Sequence, residues 1–275
     1  MRPPGTAPTE PLVFLHGIGA SRKNFGRLLP GLEKRFEIHS IDLPGHGDAP
    51  SMSVRPTVAA ITDAVERSMD EAGLGRAHVV GDSLGGRIAL ELAQRRRALS
   101  VVAIAPPGMG LPPERLHQAV VLGGSRLFAR LARPVLPLVA KSRAARTLLL
   151  PTLQTLPWRS TEEDVLSLRD GLGRAKEFWR MLAWAVVLEV PTGFEEVDCP
   201  VTLVQGLLDV IAIGQTPRFL LVVPGSRFRL LPWAGHAPMS DLPEEIVRII
   251  EETADEAGRA LQAGELPLQS SRTAA

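Results

Sequence analysis

Gly81, Asp82, Ser83, Leu84 and Gly85 stand between a short apolar run and a stretch of helical period. A serine in G-x-S-x-G spacing at a strand-to-helix junction fits a nucleophile elbow, a sharp turn that holds its central hydroxyl clear of a sheet. Gly81 and Gly85 remove the side chains that would collide in such a turn, and Gly86 lets the helix approach the sheet closely. The start of that helix also directs partial positive charge toward any negative charge developing near Ser83. An ordinary helix N-cap serine fits the same five residues.

A serine hydroxyl is a poor nucleophile near neutral pH, so this chemistry needs a base and a group that orients the base. The chain has six histidines. His236 follows an apolar run at 226–231, at the carboxyl edge where parallel strands open onto a crevice. His39 and His78 fall within or at the start of strand-like runs, and His117 lies in a helical segment, so packing or surface roles suit these three. His16 and His46 occupy glycine-rich turns. Two carboxylates follow strand-like runs at the correct edge, Asp209 after 201–205 and Asp42 after 37–41, whereas Asp198 precedes its run. The residues alone leave Asp209 and Asp42 both open as the orienting acid.

Elements that could position these groups are legible in the same sequence. Runs at 11–15, 37–41, 78–81, 100–105, 201–205 and 226–231 are short, β-branched and not strictly alternating, as in strands covered on both faces. Helical patterns near 22–33, 57–72, 84–97, 215–222 and 242–262 lie between and after them. This alternation predicts an α/β fold, a doubly wound, mostly parallel sheet. Residues 108–190 interrupt it with helical periodicity and prolines. They are expected to form a helical cap inserted into a core built from 1–107 and 191–262, with a disordered tail over 263–275.

Composition narrows the class. With 45% hydrophobic and 22% charged residues, 275 residues suffice for one large core. A net charge of +1 provides no overall field toward nucleic acid or an anionic membrane. Cys199 is the only cysteine, which excludes an internal disulfide and a thiolate metal cluster. No uninterrupted apolar run reaches membrane-spanning length, and the first residues lack the apolar segment of a signal peptide, so a soluble cytoplasmic protein is expected. Neither a nucleotide-type glycine loop nor metal-ligand spacing is found, and no cofactor is expected.

With Ser83, Asp209 and His236 in that chain order, the sequence resembles the α/β-hydrolase superfamily over about residues 11 to 260. HGIG at 16–19 is similar to that family's oxyanion turn and DLPGHG at 42–47 to its next loop; GDSLGG and the distal GHAP complete the likeness. The resemblance implies Ser83 as nucleophile, His236 as base and Asp209 as its acid, with the backbone amides of Ile18 and Leu84 as oxyanion donors. It also implies that His16 buttresses the turn and that Asp42 is structural. Two features differ from the family pattern. The family's N-terminal hairpin has no room in the ten residues ahead of PLVFL, and DVIAI at 209–213 is apolar where the acid loop often carries proline.

The implied activity is that of a cofactor-independent serine hydrolase, cleaving a carboxylic ester, lactone or thioester of a small hydrophobic acyl substrate through an acyl-enzyme. Alternatives are hydrolysis of a C–C bond in diketone-like compounds and a ligand-sensing receptor that keeps the triad. Ala237 stands where the C–C branch often has tryptophan, and a serine elbow argues against epoxide hydrolases and dehalogenases, which use aspartate. Trp158, Trp179 and Trp184 are expected to contribute to a substrate pocket beneath the cap. Arginines outnumber acids in the cap (Arg126, Arg130, Arg133, Arg143 and Arg146 among them), which solvated helix faces explain, so no nucleic-acid partner is expected. Oligomeric state is left open, a homodimer included.

Overall fold

A computed structural model describes residues 10–149 and 159–264. The six apolar runs form β1 (Glu10–Leu15), β2 (Phe36–Ile41), β3 (Ala77–Asp82), β4 (Ala98–Ile104), β5 (Val201–Gly206) and β6 (Arg227–Leu231). They join in one sheet of order β2-β1-β3-β4-β5-β6, with every neighbouring pair parallel. This is the α/β architecture expected from the alternation of elements. Successive side chains of β1 point to opposite faces. Val13 and Leu15 enter one apolar cluster with Ile61, Val65, Ile88 and Leu92, while Leu12 and Phe14 enter another with Phe25, Ile246 and Ile250.

The helices follow in chain order as α1 (Leu29–Leu32), α2 (Val58–Glu71), α3 (Leu84–Gln94), α4 (Pro112–Leu131), α5 (Leu136–Lys141), α6 (Arg143–Leu149), α7 (Glu162–Arg174), α8 (Phe178–Met181), α9 (Pro238–Asp241) and α10 (Pro243–Gln262). Helices α4 to α8, followed by a π-helical stretch at Leu182–Leu188, occupy the interval between β4 and β5. Their roof-like position makes a cap of this insertion, whose limits we take from the sequence. Among the described residues, no helix is long and apolar enough to cross a membrane.

Three helices are shorter than the periodicity predicts. The pattern at 22–33 breaks into a 3-10 turn at Arg22–Phe25 and the single turn α1, because Gly26 and Pro30 interrupt it. Residues 215–222 form a 3-10 turn at Thr216–Leu221. Helix α3 stops at Gln94, where Arg96 turns left-handed and the Arg97 amide bonds back to the Leu92 carbonyl. The expected N-terminal gap ahead of β1, Trp158 and nearly all of the tail lie outside the described residues.

Sheet order reverses beside β1: the chain passes outward to β2 and then back across to β3. Crevices in open parallel sheets form at such a reversal, beyond the carboxyl ends of the strands. HGIG follows β1 there, and the serine turn follows β3.

Candidate active site

Ser83 has φ 52° and ψ −117°, a left-handed conformation that a serine adopts only when its surroundings impose it. Its amide donates to the Ile104 carbonyl at 2.7 Å, and its own carbonyl accepts from the Arg87 amide at 3.1 Å. A side chain on Gly81 would run into the Gly85 backbone, and one on Gly85 into the carbonyls of Leu15 and His16. The G-x-S-x-G spacing thus has a steric origin: strand end, helix start and the neighbouring β1 turn converge on one point.

The β1 turn approaches from the side. A Cβ on Gly17 would lie 3.0 Å from the Ser83 Cβ, so any larger residue would press on the serine turn. Two buried histidines hold the turn. The Leu43 amide donates to His16 Nε2 at 2.9 Å, and the Gly19 amide donates to His46 Nε2 at 3.0 Å. Because each Nε2 accepts, each ring carries its proton on Nδ1, where His16 donates to the Gly17 carbonyl at 2.8 Å and His46 to the Pro44 carbonyl at 3.0 Å. Burial, with help from the adjacent His46, pushes His16 down to about 3, and burial also lowers His46. With Gly19 engaged by His46 and the Ala20 amide by the Gly17 carbonyl, the amides of Ile18 and Leu84 find no protein acceptor among the described residues.

Asp42 is occupied elsewhere. Its carboxylate accepts from the Arg22 amide at 2.7 Å and the Asp48 amide at 3.1 Å, and pairs with the Arg22 guanidinium. It ties the DLPGHG loop to the chain after HGIG. Asp209 meets His236 instead: His236 Nδ1 donates to Asp209 Oδ2 at 2.9 Å. The same Oδ2 accepts from Gln205 Nε2 at 2.8 Å, while Oδ1 accepts from the amides of Ile211 at 2.7 Å and Ala212 at 3.0 Å. The apolar DVIAI loop therefore contributes through its backbone, and a proline at 211 or 212 would delete one of these donors.

These contacts set the charges. Burial opposes ionisation of Asp209, but the charge and hydrogen bond of His236 and the two loop amides outweigh it and hold the carboxyl down at about 2. For His236, burial alone would lower the pKa; the Asp209 carboxylate reverses the sign and raises it to about 9. With Nδ1 committed to Asp209, Nε2 is the ring nitrogen left for a proton exchange. Asp82 is buried beside Ser83 within electrostatic reach of both His236 and Asp209. Its Oδ1 has no hydrogen-bond partner, and burial raises its pKa to about 7. Asp82 and Gln205 were not singled out by sequence, and His46 only as a histidine in a glycine-rich turn. Only the glycines around His46 offered a signal.

The cap rests on this turn. A side chain on Gly171 would strike the Gly19 carbonyl, and one on Gly19 would meet Leu172 and Phe178. The Lys176 amide donates to the Gly45 carbonyl at 2.8 Å. Buried Arg126 of α4 braces the contact, donating to the carbonyls of Leu172 and of Ala175, the latter at 2.9 Å, with its guanidinium 4.8 Å from the Phe178 ring centre. Trp179 packs edge-on to Phe178 at 5.3 Å and is half exposed, and Trp184 lies under the Arg55 guanidinium at 4.0 Å. Leu172 and Phe178, rather than either tryptophan, are the cap side chains against Gly19. A cleft of about 340 Å³ follows the cap seam between Lys23, Arg27, Thr161 and Ser167 and reaches Ala237, the residue after His236. Among the described residues, no cluster of three metal-ligating side chains occurs.

A model of the alpha/beta hydrolase family matches residues 12–249. The chain is 32% identical over 212 residues to an epoxide hydrolase, EphH, of Mycobacterium tuberculosis, a match covering 72% of this chain and 95% of that protein. It is 28% identical over 264 residues to the pimeloyl-(acyl-carrier protein) methyl ester esterase of Aeromonas hydrophila, covering 87% and 93% respectively. It is also 39% identical over 103 residues to the dihydrolipoyllysine-residue acetyltransferase component of an acetoin cleaving system of Cupriavidus necator, of whose length the match spans 28%. The solved structure of the enol-lactonase of Burkholderia xenovorans LB400 has the same fold, with a TM-score of 0.70 at 20% identity over 91% of this chain and 93% of that one.

Proposed function

Taking as premise that the chain belongs to the alpha/beta hydrolase family, we propose that it is a cofactor-independent serine hydrolase acting on a carboxylic ester, lactone or thioester with a hydrophobic acyl part. The observation that carries this reading is the Asp209–His236 contact at 2.9 Å, at the same sheet edge as the strained Ser83. In the reaction, Ser83 Oγ attacks the carbonyl carbon as its proton passes to His236 Nε2. Asp209 keeps the ring in the tautomer that can accept that proton and stabilises the imidazolium that forms. The Ile18 and Leu84 amides hold the oxyanion, each contributing roughly 3 to 4 kcal/mol to lowering the barrier. His236 then protonates the leaving group as the C–O or C–S bond breaks. Water, deprotonated by His236, attacks the acyl-enzyme, and the acid leaves as the proton returns to Ser83.

Epoxide opening does not fit this site. A serine oxygen attacking an epoxide carbon forms an alkyl ether, which has no carbonyl for water to attack, so the enzyme would stall after one event. Leu172 and Phe178 form the apolar roof nearest the oxyanion turn, with Trp179 packed behind Phe178. We assign the acyl group to the cap side of the site, with Trp179 and Trp184 as proposed pocket residues. A fluorophosphonate probe should label the wild type at Ser83, and a panel of esters, lactones, thioesters and epoxides should show turnover of acyl compounds alone. Ser83→Ala should lose both labelling and turnover. Labelling that persists in Ser83→Ala, or efficient epoxide hydrolysis by the wild type, overturns the reading.

A further inference from the structure

The outer face of the cap carries a pattern that acyl transfer does not use. Helix α4 buries Gln118, Leu122, Arg126 and Ala129 along one side. On the opposite side Leu116, Val120, Leu127 and Leu131 lie within about 60° of one another around the helix axis, at 3.6 residues per turn. Each is between 57% and 73% exposed. Val135 and Leu138 are exposed beyond the end of the same helix. A helix packed on a core needs one apolar side, whereas α4 has a second with nothing against it.

The segment that carries this stripe is rich in cations, of which Arg126 alone lies on the buried side. Residues 112–149 hold seven cations (six arginines and Lys141) against one acid, Glu114, a net +6 on a chain whose net charge is +1. Arg130 and Arg133 line an open cleft of about 510 Å³ together with Arg169 and Arg174. Asp170 is taken by Arg169 at 2.8 Å and Arg174 at 3.6 Å. Among the described residues, Arg130 and Arg133 form no ion pair of their own.

Solvated helix faces account for scattered arginines but not for leucines exposed beside them. A second copy of this chain would cover the leucines only by bringing two +6 regions together. An acidic globular protein would match the charge, yet a lipid surface satisfies both halves at once: the acyl layer receives the leucines and anionic headgroups meet the arginines. We infer that α4 and α5 seat the molecule on an anionic lipid surface, lying in the interface rather than crossing it. This inference does not depend on the acyl chemistry assigned to Ser83.

Flotation of the full chain with vesicles tests it. Vesicles of equal parts phosphatidylglycerol and phosphatidylcholine should carry the protein at low salt, and phosphatidylcholine alone should carry far less. Arg130→Gln with Arg133→Gln should lower partitioning roughly 25-fold, about fivefold per charge at ~1 kcal/mol each. Leu127→Glu with Leu131→Glu should abolish it, while circular dichroism and melting temperature of both double variants stay at wild-type values. Equal binding to the two vesicle types, no binding to either, or wild-type partitioning by the arginine variant overturns the proposal. So does a wild-type dimer that the leucine variant splits without any vesicle binding.

Discussion

Replacing Asp209 with asparagine isolates the electrostatic part of the site from its shape. Four donors converge on this carboxylate, from Gln205, Ile211, Ala212 and His236. An amide offers one acceptor oxygen and one NH2, so it cannot satisfy all four. The two loop amides are fixed in the backbone and retain the oxygen, which turns the NH2 toward His236. The ring then accepts on Nδ1 and carries its proton on Nε2, the wrong tautomer to take a proton from Ser83. The expected loss is about 10⁴-fold in kcat, or about 5.5 kcal/mol of barrier. Stability should suffer less: a fall of the His236 pKa from about 9 to the ordinary 6.5 corresponds to roughly 3 kcal/mol. The sign of the pH dependence follows. A raised histidine pKa contributes stability fully below 6.5 and loses it as pH rises through about 9, so the melting deficit of the variant should be largest just below pH 6.5 and shrink steadily toward pH 9. Profiles of kcat/KM from about pH 5 to about pH 10 report the free enzyme's base. The wild-type acid limb should lie well above the ordinary histidine value, and the residual activity of Asp209→Asn should have a limb displaced to lower pH because burial remains when its counter-charge is gone. Activity within tenfold of wild type, an unmoved limb, or the same pattern in Asp42→Asn would refute the reasoning.

Three further perturbations address neighbouring groups. Asp82→Asn should stabilise the fold at pH 8 by up to roughly 4 kcal/mol and leave it unchanged near pH 4, because an acid whose folded pKa is raised from 3.8 to about 7 destabilises only where the unfolded chain ionises; equal melting shifts at both pH values would count against a buried, unpaired carboxyl. Gly171→Ala should lower the melting temperature and, in the folded fraction, lower kcat at least tenfold, since the new methyl group drives the Gly19 backbone out of place; wild-type kcat would separate cap docking from the turn. Along a series of p-nitrophenyl esters, each methylene entering the apolar roof should raise kcat/KM up to about fourfold until the space is full, and an acetyl optimum would remove Leu172 and Phe178 from acyl recognition.

All six strands were legible because a parallel strand covered on both faces is a short, nearly continuous apolar run, and little else looks like one. Helix ends were less so: the break at Gly26 and Pro30 is written in residue types, but the left-handed turn at Arg96 depends on backbone bonds back to Ala93 and Leu92. At the site, Ser83 was legible from its glycines, and the geometry gives those glycines a steric reason. The choice between Asp209 and Asp42 rested on the family resemblance alone, since both follow strands at the same edge. Space separates them, with Asp42 turned to Arg22 and Asp48 while Asp209 meets His236. Trp179 and Trp184 show what helical spacing leaves open. Large aromatic side chains in an insertion read as pocket lining, yet helical spacing does not say which face of a short helix meets the core, and Leu172 and Phe178 hold the contact with Gly19.

The neutral histidines add no limb of their own to a pH profile shaped by His236 and Asp82. His16 and His46 each accept a backbone hydrogen bond on Nε2, and protonation there would replace a bond with a clash of two donors. Burial pushes His16 down to about 3 and also lowers His46, so both resist charging as His236 titrates. The turn these histidines hold has a second support in the cap. Gly19 is held on one side by His46 and met on the other by Gly171, Leu172 and Phe178, which Arg126 braces through the Leu172 and Ala175 carbonyls. A guanidinium buried without a carboxylate partner is costly unless its hydrogen bonds are made; here backbone carbonyls take both terminal nitrogens and an aromatic face lies alongside, while Nε has no partner among the described residues. The turn that carries Ile18 is therefore held from two sides, by His46 and by the packing of α7 and Phe178 against Gly19.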